Sequence, residues 1–269
     1  MLEKVDLSRE LSKEQAEPKL KKLQERLRIL QQAALQAPIA VTLVLEGWDS
    51  AGKGTLVSKL VERLDPRGFK VRSTNAPLQE ELYRPWLWRF WMKMPAYGEI
   101  VVFDRSWYGR VGVERVEKLA RKEEVERAFQ EINDFERALV DDGQVLVKLF
   151  LHITQKEQKK RFKKAEADFK TRWKIQPEDW RRHAQYDEYL SVYEEMLERT
   201  STTVAPWTVV EAMDKRWAVV ETFTRVVEAM EKRLKEIGKL PGATRLSEVV
   251  ARPPRPRPSA KPSAKKGAA

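Results

Sequence analysis

The sequence predicts an α/β protein: a parallel five-stranded sheet flanked by helices, with a helical lid. Three observations carry this. Short apolar, β-branched runs alternate with helical periodicity over about 200 residues, as expected of strands covered on both faces. The first run ends in a Gly-rich turn that opens a helix. One densely charged helical segment interrupts the alternation between the fourth and fifth runs.

The elements follow in order. Leu20, Leu23, Leu27, Leu30 and Ala34 recur at helical spacing, and Pro38 ends that run, so residues 1–38 read as an N-terminal helical extension packed on its own domain, with a short partner-binding helix as the alternative. The first strand is IAVTLVLEG (39–47), and the helix after its turn runs over 55–64. Asp65-Pro66-Arg67-Gly68 is turn chemistry, after which FKVRSTN (69–75) reads as the second strand. An aromatic helix over 79–94 precedes the third strand, EIVVFDRS (99–106). A helix over 122–140 leads to the fourth, QVLVKLFLHI (144–153). The charged segment 155–182 is the expected lid, WTVVEA (207–212) the fifth strand, and a last helix runs over 217–237. The main domain thus spans 39–240. Residues 241–269 end in ARPPRPRPSAKPSAKKGAA, too poor in apolar residues to offset the entropy of ordering, and are expected to be a disordered basic tail.

Composition excludes several classes of function. The 269 residues carry 52 Lys+Arg against 41 Asp+Glu, a formal charge of +11, with no cysteine and two histidines. A disulfide framework, a thiolate metal site and a thiol nucleophile are therefore ruled out. The N-terminus lacks the apolar stretch of a secretory signal, and no run approaches the ~20 apolar residues of a membrane span, so a soluble, cytoplasmic protein is expected. The charge is not spread evenly. The lid segment holds eleven basic and five acidic residues, the stretch 251–269 holds six basic residues and no acid, and the remainder is close to neutral.

Two motifs carry chemistry. GWDSAGKGT (47–55) fits the G-x-x-x-x-G-K pattern of a phosphate-binding loop between a strand and a helix. In such a loop the backbone amides of Gly47, Ser50, Ala51, Gly52, Gly54 and Thr55, together with the helix N-terminus, face phosphate oxygens, and Lys53 reaches a bridging or terminal phosphate. The usual Ser/Thr directly after the lysine is replaced by Gly54, with Thr55 one residue late. Asp49 inside the loop would repel phosphate unless it binds Mg²⁺ or orients the incoming group. The second motif, IVVFDRSWYGR (100–110), is an apolar strand delivering Asp104 to the sheet's C-terminal edge, with Arg105 and Arg110 close behind. Strand-end carboxylates at such an edge bind metal, and guanidinium groups suit the equatorial oxygens of a transferring phosphoryl group. Tyr83, Trp86, Trp88, Phe90 and Trp91 spread around the predicted aromatic helix, which makes most of them core. His152 and His183 show no ligand spacing. Asp214 and Lys215 either touch the site or cap an element.

GWDSAGKGT, PWLWRFWMKMPAYGEIVVFDRSWYGRV, EINDFERAL, RWKIQPEDW and APWTVVEAMDKR together resemble the polyphosphate kinase 2 family over about residues 39–232. The pairing of DRSWYGRV with INDFE looks closest to its polyphosphate:AMP phosphotransferase branch. The resemblance implies a P-loop kinase fold with a mobile helical lid. It also implies transfer of a phosphoryl group between inorganic polyphosphate and AMP, ADP or ATP, with Mg²⁺ (or Mn²⁺ in its place), in a homo-oligomer. By that similarity Asp49, Lys53, Asp104, Arg105 and Arg110 match active-site positions, with Asp49 and Asp104 toward the metal. Arg161, Lys164, Lys170, Arg172 and Lys174 fall where the lid meets polyphosphate, and Asn75, Ala76 and Pro77 lie toward the nucleotide. The lid departs from the family pattern at Ala165 and at 168–171, where Lys164 and Lys170 stand one residue off the expected basic positions. Two other readings stay open: an ATP-dependent nucleoside monophosphate kinase, and a non-enzymatic polyanion-binding protein that uses the basic tail without sequence-specific nucleic-acid recognition.

Overall fold

The computed structural model describes residues 2–242; most of the basic tail lies outside the described residues. Five strands, β1 (Val41–Gly47), β2 (Phe69–Ser73), β3 (Ile100–Asp104), β4 (Val145–His152) and β5 (Trp207–Glu211), form one parallel sheet in the order β2-β3-β1-β4-β5. Ten α-helices accompany them among the described residues: α1 (Lys13–Gln36), α2 (Lys53–Val61), α3 (Gln79–Leu82), α4 (Trp88–Trp91), α5 (Val113–Val116), α6 (Lys122–Asp141), α7 (Gln155–Ala167), α8 (Pro177–Ala184), α9 (Tyr186–Thr200) and α10 (Lys215–Glu236). The three central strands are almost wholly buried, which is why their sequences are continuous apolar runs and not alternating ones.

The register sets the site. Leu45 of β1 lies opposite both Asp104 of β3 and Leu149 of β4, and Gly47 lies opposite Leu151. The chain leaves β1 toward one edge and later crosses to the other, so β1 is the switch point where open α/β sheets form a crevice at their C-terminal ends.

Helix α1 and the sheet share one core. Helix α1, started by a Ser12–Gln15 capping box, packs along α10, and its Leu27, Leu30, Ala33 and Ala34 join the same core as the sheet. Each such leucine contributes about 2 kcal/mol of apolar burial, which holds the helix to its own domain.

One expectation needs correcting, and one element is added. The aromatic stretch 79–94 is two one-turn helices, because Pro85 cannot continue α3. With the helix broken, only Phe90 of its five aromatics is fully buried; Trp86 and Trp88 are half-buried, while Tyr83 and Trp91 are exposed. The charged segment is α7, a turn of 3-10 helix (Arg172–Lys174) and α8, and it runs straight on into α9, whose Tyr186, Tyr189, Val192, Met196 and Leu197 are buried on one face. The sequence reading assigned no element to 186–200.

Candidate active site

The loop after β1 is shaped by what a side chain would hit. A Cβ on Gly47 would stand 2.3 Å from the Leu151 carbonyl oxygen, and its φ of +130° suits only glycine. Trp48 turns back into the core, donates its indole N–H to His152 Nδ1 (2.9 Å) and stacks on Tyr186 at a centroid distance of 3.9 Å. Ser50 (φ +60°) and Gly52 (φ +113°) then curl the chain into α2, whose first turn has no side-chain cap. Uncapped amides at a helix N-terminus are available to an anion. Gly54 and Thr55 are exposed on that turn. Lys53 is buried, and its Nζ donates to the carbonyls of Gly47 (2.7 Å) and Trp48 (3.0 Å). Burial lowers its pKa, opposed by Asp49, Asp104 and Glu46 and reinforced by Arg105.

His152 accepts from Trp48 only while neutral. Burial holds its pKa down at about 4 against an ordinary 6.5. Between those values the unfolded chain binds the proton and the folded one does not, so this contribution is full above pH 6.5 and is lost as pH falls toward 4. Denaturant titrations of wild type and His152→Gln should diverge by about 2 kcal/mol across that window, with wild type the more pH-dependent. Parallel pH profiles would refute this role.

Asp49 and Arg105 meet across the crevice, with Arg105 Nη2 2.8 Å from Asp49 Oδ1. Arg105 has a positive φ (+62°), a strained conformation for a residue with a Cβ, and it is fixed by its N–H to Leu45 O (3.1 Å) and by Thr74 Oγ1, which donates to its carbonyl (2.8 Å). Burial raises the Asp49 pKa, but Lys53, Arg105 and Arg182 outweigh it and keep the carboxyl below its usual value. Asp104 ends β3 beside them and acts electrostatically on both Lys53 and Arg105. Asn75, Ala76 and Pro77 form an exposed loop beyond β2; it is tied to this corner by Thr74 and by Arg89, which donates to the Asn75 carbonyl (2.9 Å).

Two of the arginines are held by partners of their own. Arg161 does not lie on the open face of the lid. It is buried, its Nη1 donates to the carbonyls of Ser50 and Ala51, and its Nη2 donates to those of Ala212 and Met213, so it bolts α7 to the phosphate-binding loop and to the end of β5. Arg110 pairs with Glu114 (2.9 Å) and lies over the Trp86 ring at 5.1 Å. Lys164, Lys170, Arg172 and Lys174 are exposed, with Arg172 over Phe169 and Lys174 over Trp173. Asp214 is the N-cap of α10, donated to by Trp217 N–H (2.7 Å). Lys215 feels Arg161, Lys164 and Lys174, and its pKa is lowered first by burial and then by these cations.

Arg182 was missed. From α8 it approaches Asp49 (3.6 Å), Glu117 (3.5 Å) and Asp179 (4.0 Å), which brings the lid onto the loop. His183 and Gln158 share a hydrogen bond of 2.7 Å, and Gln158 donates to the Asp49 carbonyl (3.3 Å), so both histidines serve to hold backbone and side chains in place.

A phosphate-binding loop at the switch point of a parallel sheet, a carboxylate and an arginine at the next strand's end, and a helical arm laid across them define the P-loop kinase class of fold. The chain belongs to the polyphosphate kinase 2 family, whose model matches residues 10–238. It is 43% identical over 232 residues to a "Polyphosphate:AMP phosphotransferase" of Pseudomonas syringae, a match covering 86% of this chain and 47% of that one. It is 35% identical over 211 residues to "ADP-polyphosphate phosphotransferase 3" of Rhizobium meliloti, covering 78% and 74%. The crystal structure of polyphosphate kinase 2 from Arthrobacter aurescens TC1 superposes with a TM-score of 0.82 at 35% identity, covering 86% of this chain and 84% of that one. The chain spans about half the length of the curated polyphosphate:AMP phosphotransferases it matches. Among the described residues no helix is long and apolar enough to cross a membrane.

Proposed function

We propose that this protein transfers a phosphoryl group between inorganic polyphosphate and AMP or ADP, with AMP to ADP the favoured step and ADP to ATP a further one. The observation that carries this reading is the gathering of Lys53, Arg105 and Arg182 around the single carboxylate of Asp49 at the mouth of an uncapped helix. Three cations about one loop are what several phosphate oxygens require when brought together.

The acceptor phosphate is already ionised near neutral pH, because its second pKa is about 6. No strong general base is needed, which agrees with two histidines committed to structural hydrogen bonds. The residues fit a Mg²⁺ ion of the kind that keeps its waters: Asp49 and Asp104 would hold it, and among the described residues no cluster of three or more acidic or histidine groups is built to cage it. Bound there, Mg²⁺ supplies charge neutralisation on the phosphates. Lys53, Arg105 and Arg182 then orient and stabilise the phosphoryl group in line, and α8 covers it from water. Beyond the loop, Lys164, Lys174 and Lys215 give a basic path for the rest of a long polyanion.

The test is a donor and acceptor panel: AMP or ADP with Mg²⁺ and either long-chain polyphosphate or ATP. ADP formed from AMP and polyphosphate is expected. ADP formed only from ATP would make the protein a nucleoside monophosphate kinase, and no transfer with any pair would leave only polyanion binding.

A further inference from the structure

A fully satisfied buried ammonium group lies outside the site, and phosphoryl transfer as proposed makes no use of it. Lys148 stands in the middle of β4, the one charged residue among the apolar positions 145–151, with its side chain fully inaccessible. All three of its ammonium protons are taken: Glu136 Oε2 at 2.7 Å, the Tyr108 hydroxyl at 2.9 Å and the Thr200 carbonyl at 2.7 Å. Glu136 accepts on its other oxygen from the Tyr108 hydroxyl (2.6 Å) and from Trp107 Nε1 (3.0 Å). Burial pushes Lys148 down and Glu136 up, and each partner's charge opposes the other's loss.

These groups come from four different places. Lys148 is on β4 and Glu136 on α6. Trp107 and Tyr108 belong to the segment between Arg105 and Arg110, and Thr200 is the last residue of α9, the helix that continues the lid arm. The α9 carbonyl taken by Lys148 is one of those a helix end leaves without an internal partner. The next residue back toward the site, Ser106, is fixed from the opposite side by Glu46, which accepts from its N–H and its hydroxyl at 2.8 Å each. The arginine segment is therefore held at both faces, and one of those holds is shared with the far end of the arm that carries Arg182.

Stability alone is a weak reason for such a pair, because apolar residues of similar volume often replace a buried ion pair at no loss. We propose that Lys148, Glu136 and Tyr108 are positioning residues for phosphoryl transfer: they set the Arg105–Arg110 segment in register with the lid arm, so that Arg105 and Arg182 meet the same phosphoryl group. The proposal rests on the phosphotransfer reading above.

The experiment uses Tyr108→Phe, which keeps the ring and removes the shared hydroxyl, Lys148→Met, and the apolar pair Lys148→Met/Glu136→Leu, assayed with AMP, Mg²⁺ and polyphosphate well below each variant's melting temperature. Folded Tyr108→Phe and Lys148→Met should lose about 10- to 100-fold in kcat, with KM for AMP within about threefold of wild type. The apolar pair should recover the melting temperature lost in Lys148→Met without recovering kcat. A merely structural network predicts the reverse: kcat within about twofold of wild type in every folded variant, or kcat returning together with stability. Either result overturns the proposal. Should Lys148→Met fail to fold, Tyr108→Phe alone decides. Absence of turnover in wild type would instead sink the phosphotransfer reading; amide exchange of residues 105–112 and 177–200 then decides for the network, with faster exchange in Tyr108→Phe supporting it and unchanged exchange overturning it.

Discussion

Replacement of Lys53 by alanine is expected to lower phosphoryl transfer by about 10³-fold while the protein stays folded. The buried side chain donates to the Gly47 and Trp48 carbonyls; Trp48 O keeps a second donor in the Ala51 N–H (3.1 Å), whereas the Gly47 carbonyl loses the lysine's bond. Those carbonyls are part of the loop itself, so some stability goes as well, about 1–3 kcal/mol from the lost hydrogen bonds. The loss is too small to unfold a domain of this size and too large to attribute all of the rate effect to charge. Asp104→Asn separates the two contributions, since Asp104 is at the rim of the site and its removal leaves the loop's hydrogen bonds intact. It should match Lys53→Ala in turnover with little change in melting temperature. Steady-state assays with polyphosphate and AMP, alongside circular dichroism, read both quantities. A folded variant of either kind turning over near the wild-type rate would sink the site assignment.

Gly47→Ala carries the largest expected effect on stability. The new methyl group would meet the Leu151 carbonyl oxygen at 2.3 Å and its amide nitrogen at 2.7 Å, both main-chain atoms of the strand beside β1, with a backbone φ that alanine also resists. Neither strand can yield without breaking the centre of the sheet. The expected loss exceeds about 4 kcal/mol, enough to prevent recovery of a cooperative unfolding transition in urea. Gly54→Ala is the control seven residues away. Nothing lies within 4 Å of its added carbon, and it sits within α2, so stability should hold or rise by about 0.5–1 kcal/mol. Equal midpoints for the two variants would refute the steric account.

The sheet was legible because strands buried on both faces declare themselves as apolar runs of five to eight residues, such as VTLVLEG and VLVKLFLH. Tertiary decisions were less legible. Pro85 was visible in the sequence, and the aromatic run around it masked the break. Helix α9 had a signal in the spacing of Tyr186, Tyr189, Val192, Tyr193, Met196 and Leu197, but it follows so closely on the charged arm that it drew no separate reading. Asp49, Lys53, Asp104 and Arg105 could be named because the motifs fix them to the ends of strands and the start of a helix. Arg161 could not be placed, since its partners are main-chain carbonyls, which no side-chain pattern encodes. Arg182 looked like one more solvated cation in a basic helix. Only the fold of the arm shows that it faces Asp49.

The bridge that Asp49 makes to Arg105 and Arg182 has a consequence for the order and strength of binding. In the loop the Asp49 carboxylate pairs with guanidinium groups that phosphate needs, and those groups pair with the carboxylate that a cation needs. Asp49 given up to a divalent ion leaves both arginines free for phosphate oxygens, and the arginines given up to phosphate leave Asp49 free for the ion. Each ligand therefore relieves the other of a competitor. If Mg²⁺ and nucleotide or polyphosphate bind here as proposed, thermodynamic linkage makes that relief reciprocal: the factor by which Mg²⁺ tightens the phosphate ligand would equal the factor by which that ligand tightens Mg²⁺. Metal and phosphate arriving as one complex displace both halves of the bridge in a single event, whereas either alone must compete with a tethered ion that is always present.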